Sequence, residues 1–317
     1  MTGNLLIEAQ GLGKSFGNET AVIDIDMTVP AGTIFGFIGP SGCGKTTTVR
    51  LLNGSYKPTA GRLTVFGSEP SQFSRADKAR VGYMPQLFSL YPALSLQDNL
   101  NFIGSLYGLG RAERSDRQEK LLELVELADD KHKLARDVSG GMQRRLSLAA
   151  ALMHKPELIF LDEPTAGIDP ILRQKLWEFF RQLRDEGQTL FVTTQYVGEA
   201  AYCDYVGVMA DGRLLTVDTP ERLRRTAIGG DMIDIVLHEA LPAALLYELR
   251  AHELVQNRLN FLASAAYRLT VEDAKTALPA LMRWFEGHQL AVESAGEFVP
   301  QFDDVFVELI KRGQQHG

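Results

Sequence analysis

The residues best suited to chemistry in this 317-residue sequence form a glycine-rich run that ends in a lysine and two threonines. The run follows the apolar segment Thr33–Ile38 and consists of Gly39-Pro40-Ser41-Gly42-Cys43-Gly44-Lys45-Thr46-Thr47. Glycines let backbone N–H groups surround a phosphate, and the start of a helix adds partial positive charge. The Lys45 ammonium suits β- and γ-phosphates, and the Thr46 hydroxyl can ligate Mg²⁺. The pattern predicts a nucleoside triphosphate site, which kinases, GTPases and ATPases share.

Two adjacent carboxylates follow a second apolar segment, Leu158–Leu161. At the end of a buried strand beside the phosphate loop, Asp162 could help to hold Mg²⁺. Glu163 could then polarise an attacking water as a general base. Taken alone, such a pair more often marks a strand that ends in a solvated acidic turn. The phosphate loop upstream favours the catalytic interpretation.

The thiol of Cys43 lies inside the glycine-rich run, at a helix N-terminus and beside Lys45. Both features lower a thiol pKa. They predict a reactive thiol that a bound nucleotide would protect. The alternative is an inert, packed thiol.

The order of apolar segments predicts an α/β fold, since strands that alternate with helices indicate a parallel sheet. The nearly continuous apolar run Thr33–Ile38 is typical of a strand buried on both faces. The predicted strands are 5–9, 21–29, 33–38, 158–161 and 189–193, and the predicted helices are 46–53, 170–185 and most of 87–135.

The chain is predicted to contain a nucleotide-binding domain at residues 1–226, with a helical subdomain at about 87–150, and a small α+β accessory domain at 227–317. Two glycines at 229 and 230 suggest a linker. The tail is predicted to hold strands at 232–238 and 265–270 and helices at 240–251, 273–286 and 302–313. No catalytic constellation is visible in this tail.

The composition limits the possible partners and location. The formal net charge of −7 argues against a nucleic-acid partner, which usually requires a basic face. Two cysteines exclude a disulfide framework and fit a reducing, cytoplasmic setting. No apolar stretch approaches the ~20 residues that cross a bilayer, and the N-terminus lacks the pattern of a secretory signal.

A third motif makes the resemblance to a known family specific. Val138-Ser139-Gly140-Gly141-Met142-Gln143-Arg144 resembles the LSGGQ signature of ATP-binding cassette (ABC) proteins, from which it departs at Val138 and Met142. Other segments are similar to that family's motifs in the family's order. Phe16 matches the aromatic residue that stacks on adenine, Gln86 the Q-loop glutamine, and Thr165–Pro170 the D-loop.

The resemblance implies a P-loop NTPase cassette that binds ATP and Mg²⁺ and hydrolyses ATP. It also implies that the signature of one cassette contacts the γ-phosphate held by another, so a second cassette is required, most simply in a homodimer. The implied catalytic residues are Glu163 and Gln195, and the implied metal-binding residues are Thr46, Gln86 and Asp162. The implied nucleotide-binding residues are Phe16, Gly39, Pro40, Ser41, Gly42, Cys43, Gly44, Lys45, Thr46, Thr47, Gln86, Ser139, Gly140, Gly141 and Asp169.

Two segments, Leu90–Leu109 and Phe302–Leu309, resemble the ATPase subunits of the type-two exporter branch. In that branch the region after the Q-loop receives a helix from a separate integral-membrane permease. The resemblance implies a peripheral position on the inner face of the cell membrane and export of drugs, lipids or other hydrophobic compounds. Two alternatives stay open: the apolar residues only fill the helical subdomain, or the chain is a non-transport ABC ATPase for translation, repair or assembly.

One departure from the family lies after the strand at 189–193, where the usual histidine is replaced by Gln195. Glutamine can hydrogen-bond a phosphate or a water but takes up no charge near neutral pH. None of the six histidines falls in this motif, and His154 is predicted to lie on a surface turn.

Overall fold

The computed structural model describes residues 4 to 315, with side chains up to residue 312. The chain divides into two compact units, Met1–Asp218 and Thr219–Gly317. The strands of the first unit are β1 Leu5–Phe16, β2 Glu19–Pro30, β3 Ile34–Ile38, β4 Ala60–Val65, β5 Val81–Met84, β6 Leu158–Asp162, β7 Thr189–Thr194, β8 Tyr205–Ala210 and β9 Arg213–Asp218. Its helices are α1 Lys45–Leu52, α2 Arg75–Ala79, α3 Leu96–Leu106, α4 Arg111–Leu124, α5 Gly140–Leu152 and α6 Pro170–Asp185.

A six-stranded sheet in the order β5-β6-β7-β3-β8-β9 forms the centre of the first unit. All neighbouring strands are parallel except β9, which pairs antiparallel with β8. Every residue of β3, β6 and β7 is buried, including Asp162 and the three threonines of β7, as is typical of strands covered on both faces. The predicted α/β fold with a parallel sheet is confirmed.

A second, antiparallel sheet in the order β2-β1-β4 completes the first unit. Its two long strands alternate buried and exposed residues, so one face joins the core through side chains such as Ile7 and Ile25. Both strands are longer than predicted, because register shifts between Ala9 and Ser15 interrupt the regular alternation of β1.

The region predicted to be mostly helical, 87–135, is helical only in α3 and α4. The loop before α3 is ordered by the fully buried Asn99. Its amide donates to the carbonyls of Tyr91 and Ser95 at 3.0 and 2.9 Å, and its oxygen accepts from the Tyr91 N–H at 2.9 Å. These bonds satisfy backbone groups that the loop would otherwise bury without partners.

The second unit is an α+β fold with an antiparallel sheet in the order β11-β12-β10-β13. Its elements are α7 Pro220–Ile228, β10 Asp231–Leu237, α8 Ala243–Ala251, β11 Leu259–Ala263, β12 Ala266–Val271, α9 Ala274–Gly287, β13 Val292–Phe298 and α10 Phe302–Gln315. Within residues 4 to 315, no helix combines the length and the apolar character needed to cross a bilayer.

The predicted domain boundary at residue 226 falls inside α7, which clusters with the second unit. Gly229 caps α7 in the left-handed conformation, with φ of 84°. Gly230 has φ of 150°, and a Cβ there would lie 2.1 Å from the Val271 carbonyl oxygen. The two glycines therefore join a helix to a strand within one unit and are not a linker between units.

Four buried aromatic rings hold the central strands of the large sheet together. The ring centroid of Phe191 on β7 lies 5.3 Å from those of Phe35 and Phe37 on β3. It lies 5.8 Å from the ring centroid of Phe160 on β6. We expect Phe191→Ala to lower the free energy of unfolding of the first unit by about 3–5 kcal/mol.

The measurement is urea unfolding followed by Trp177 fluorescence in a Trp284→Phe background, so that the signal comes from the first unit alone. The control is Ile171→Ala, which truncates an exposed side chain and should change stability by less than about 0.5 kcal/mol. Equal midpoints for the two variants would contradict the role of the aromatic cluster.

Candidate nucleotide site

The glycine-rich loop connects β3 to α1 and adopts a conformation that only glycine tolerates at residue 44. Gly44 has φ of 107°, and a Cβ there would lie 2.5 Å from the Ala21 carbonyl oxygen. Lys45 follows and is only 5% exposed. Its ammonium donates to the carbonyl oxygens of Gly39 at 2.7 Å and Pro40 at 3.0 Å. The charge is thus held inside the curve of the loop.

The acidic pair lies at the carboxyl end of β6, beside the end of β7. Asp162 is fully buried, and its Oδ1 accepts a hydrogen bond from the Thr193 hydroxyl at 2.5 Å. Its Oδ2 is also buried and accepts no hydrogen bond from the described residues. A buried carboxylate oxygen without a donor is costly unless a cation or water completes it. This atom fits the role of a Mg²⁺ ligand.

The backbone of Glu163 is held from two sides in a strained conformation. Its φ is 54°, a region that side-chain-bearing residues rarely occupy. Its N–H donates to the Thr193 carbonyl at 3.0 Å, and its own carbonyl accepts from Arg144 Nε at 2.9 Å and from a second Arg144 nitrogen. Its carboxylate accepts from the Gln86 amide at 3.4 Å. Such strain costs of order 1–3 kcal/mol and persists only where neighbouring groups enforce it.

Half of the predicted site residues meet around one open cavity of 470 Å³. This volume falls within the range of small-molecule sites. Phe16 stands at its edge, 45% exposed and in edge-to-face contact with Tyr56 at 5.3 Å between ring centroids. The lining residues are Phe16, Glu19, Ala21, Ser41, Gly42, Gly44, Lys45, Thr46, Thr47, Gln86 and Glu163.

The side chain of Gln195 reaches the phosphate loop from the end of β7. Its amide oxygen accepts a hydrogen bond from the Ser41 hydroxyl at 3.0 Å. Because Ser41 lines the cavity, Gln195 lies next to the region where phosphate groups are predicted to bind.

The predicted reactivity of Cys43 is wrong. The residue is only 5% exposed and packs against Gly39, where a Cβ would lie 2.7 Å from its Sγ. Burial raises the pKa of the Cys43 thiol, and the opposing charge of Lys45 is the smaller effect. The effect of burial on the pKa therefore outweighs the effect of the Lys45 charge, and Cys43 is a packed, buried thiol of the loop.

The signature residues and Asp169 do not line the cavity of their own chain. Ser139 caps α5 by accepting from the Met142 N–H at 3.2 Å, and it is exposed together with Gly140 and Gly141. Asp169 caps α6 in the same way, and the bond from the Leu172 N–H is the main reason for its lowered carboxyl pKa. Both helix N-termini are thus presented on the surface.

Three residues near the site were not singled out by the sequence. Arg144 and Thr193 fix the acidic pair, and Glu19 lines the cavity. Arg144 falls inside the signature and Thr193 at the end of an apolar strand, so their positions were visible. Their contacts depend on tertiary packing.

A second surface, which we call the aromatic groove, has a volume of 280 Å³ and is lined in part by Tyr91, Phe102, Leu106, Tyr107 and His154. The first four side chains are exposed, and Tyr91 contacts Phe102 edge-on at 4.9 Å. His154 lies on a turn, as predicted, but it is half-buried and stacks on Tyr107 at 3.7 Å. Burial lowers the pKa of His154, and its Nε2 donates to the Val81 carbonyl.

Comparison with known proteins agrees with this geometry. A family model described as ABC transporter matches residues 22–166. The chain is 37% identical over 306 residues to the daunorubicin resistance ATP-binding protein DrrA3 of Streptomyces coeruleorubidus, covering 96% of this chain and 95% of that protein. It is 31% identical to the linearmycin resistance ATP-binding protein LnrL of Bacillus subtilis, covering 97% and 99%.

A solved structure described as the ATP binding subunit of an ABC transporter is also similar. It is 26% identical and has a TM-score of 0.65, covering 70% of this chain and 92% of that chain. Together with the phosphate loop and the acidic pair, these similarities establish that the chain belongs to the ABC transporter family as one of its ATPase subunits.

Proposed function

We propose that this chain hydrolyses ATP to drive a separate integral-membrane permease that exports drugs, lipids or other hydrophobic compounds. The observation that carries the proposal is the cavity in which the phosphate loop, Gln86 and Glu163 meet. The names of the similar resistance proteins support export, and none of them supports a role in translation, repair or assembly.

ATP would bind with its adenine on the exposed face of Phe16 and its phosphates in the loop. Backbone N–H groups at the start of α1 suit the phosphate oxygens. The Lys45 ammonium would exchange its two carbonyl partners for β- and γ-phosphate oxygens.

The residues that would hold Mg²⁺ are Thr46, Gln86 and Asp162. When bound, the ion supplies charge neutralisation on the phosphates. The uncompensated Oδ2 of Asp162 supports this assignment, since Oδ1 is already bonded to Thr193. Among the described residues there is no cluster of three or more His, Cys, Asp or Glu. The three protein ligands named above would leave positions for phosphate oxygens and waters in the octahedral shell that Mg²⁺ prefers.

Glu163 is the proposed general base. Its carboxylate lines the cavity, while Thr193 and Arg144 fix its backbone. It would accept a proton from the water that attacks the γ-phosphorus, and the bond to the leaving oxygen would then break to give ADP and phosphate. Gln195, held near Ser41, would hydrogen-bond the γ-phosphate or that water.

A second cassette would supply Ser139, Gly140 and Gly141 to the nucleotide. These residues are exposed and outside the cavity of their own chain, and the hydroxyl and bare N–H groups at a helix N-terminus suit a phosphate. Asp169 is exposed in the same way. A homodimer with two nucleotides between its subunits is the simplest assembly.

The aromatic groove would receive an apolar helix of the permease. Contiguous exposed aromatic and leucine side chains are typical of partner sites, and a helix in a groove is a common mode of recognition. This docking would place the chain on the inner face of the cell membrane as a peripheral subunit.

The general-base role predicts that Glu163→Gln keeps ATP binding and lowers turnover by about 10²–10⁴. The variant should accumulate as an ATP-bound dimer, whereas Lys45→Ala should lose ATP binding. Steady-state ATPase assays, nucleotide titration and size-exclusion chromatography measure these effects. Glu178→Gln, an exposed carboxylate on α6, is the matched control. Normal turnover in Glu163→Gln would show that another group is the base.

Gln195 should contribute one hydrogen bond to a charged group, so Gln195→Ala should lower turnover about ten- to a hundredfold, equivalent to ~1.5–3 kcal/mol. Because glutamine does not titrate, this residue adds no limb to the pH profile of the wild type. Gln195→His should introduce a change in activity near pH ~6.5. The assay is steady-state ATPase activity across pH. If Gln195→Ala is as active as the wild type at every pH, Gln195 has no part in the hydrolysis.

Docking in the aromatic groove predicts that the double variant Tyr91→Ala/Phe102→Ala binds the permease at least about tenfold more weakly, since buried aromatic anchors dominate such interfaces. Co-purification from detergent-solubilised membranes measures this loss. Tyr247→Ala, which truncates an exposed tyrosine of the second unit, is the control. Equal recovery of permease with both proteins would contradict the docking site.

A further inference from the structure

One buried carboxylate of the first unit, that of Glu199, does not line the nucleotide cavity. Glu199 is only 3% exposed, and its Oε1 accepts a hydrogen bond from the Thr165 hydroxyl at 2.6 Å. The same oxygen lies 3.7 Å from Arg173 Nε. Thr165 follows Glu163 by two residues, so this carboxylate is connected to the chain segment that carries the general base.

Arg173, in the first turns of α6, contacts three segments at once. Its guanidinium lies 4.6 Å from the ring centroid of Tyr196, and one of its NH2 groups donates to the Ile168 carbonyl at 3.2 Å. Its Nε faces Glu199. A planar guanidinium can stack and donate simultaneously, which a lysine ammonium cannot do.

We propose that Arg173 and Glu199 are positioning residues for ATP hydrolysis, which fix the turn carrying Gln195 against the segment Thr165–Ile168. Tyr196 directly follows Gln195, whose side chain is bonded to Ser41 of the phosphate loop. The pair therefore contacts the segments that follow Glu163 and Gln195, the two residues proposed to act on the attacking water. This inference rests on the proposed roles of Glu163 and Gln195.

Stability alone does not account for the pair. Glu199 is buried and Arg173 is half-buried, and an ion pair removed from water stabilises a fold little compared with apolar residues of the same volume. Within the described chain, Glu199 Oε2 and Arg173 Nε form no hydrogen bond, and an incompletely bonded buried network is a poor source of stability. An apolar pair could not bond Thr165 and Ile168 while stacking on Tyr196.

The test is a double-mutant cycle on the full-length chain with Arg173→Met, Gln195→Ala and the two combined. Arg173→Met should lower kcat about tenfold with an unchanged KM for ATP, because it acts on the chemical step. The kcat of the combined variant should lie within about twofold of the kcat of Gln195→Ala, because both substitutions remove the same function. Arg173→Lys is a second variant, which keeps the charge but loses the fork.

Arg184→Met is the matched control, since Arg184 lies on the same helix with a side chain 26% exposed, against 27% for Arg173, and pairs with Asp204. It should leave kcat unchanged. Glu199→Gln, which keeps an acceptor for Thr165, should retain more activity than Glu199→Leu.

Multiplicative losses in the combined variant would overturn the inference, as would an effect of Arg173→Met on KM alone or a silent Gln195→Ala. An equal loss of kcat in Arg184→Met would also overturn it, because the effect would then be general to the helix. Failure of the proposed function is recognised separately, by normal turnover in Glu163→Gln.

Discussion

The hydrogen bond from Thr193 to Asp162 joins β6 and β7 at the edge of the sheet where the nucleotide site forms. The two parallel strands pair in register as far as Asp162 and Thr193, and this bond adds a side-chain connection at the end where the acidic pair and the turn that carries Gln195 lie. The backbone bond from Glu163 to Thr193 extends the same connection. Movement of either strand would displace both groups that are proposed to act on the γ-phosphate.

The aromatic cluster around Phe191 explains how this edge can hold a strained residue. Strands packed through large buried rings cannot slide without opening voids, and close-packed interiors resist such voids. Arg144 adds a bond from the signature helix to the Glu163 carbonyl. The positive φ of Glu163 is therefore enforced by packing on one side and by charge-assisted hydrogen bonding on the other.

The three central strands of the large sheet and the core of the site were predictable because they depend on local pattern, whereas β5, β8 and β9 of the same sheet were not predicted. The apolar runs at β3, β6 and β7 are continuous, and the glycine-rich loop and the acidic pair directly follow two of them. The edge strand β11 was missed, because four of its five residues are exposed and its sequence shows no apolar face. Only its pairing with β12 identifies it as a strand. Cys43 was misjudged because burial raises its pKa more than the charge of Lys45 lowers it, and burial depends on tertiary packing.

The bonds that Lys45 makes to two loop carbonyls also govern which ligands the loop can select. The ammonium carries three donors, so a ligand that accepts more than one of them must displace a loop carbonyl, and such binding would be an exchange between acceptors. Neutral acceptors offer no advantage over the carbonyls, whereas charged phosphate oxygens form stronger bonds. By this exchange the loop would favour nucleotides over nucleosides and sugars, through the charge of the competing acceptor.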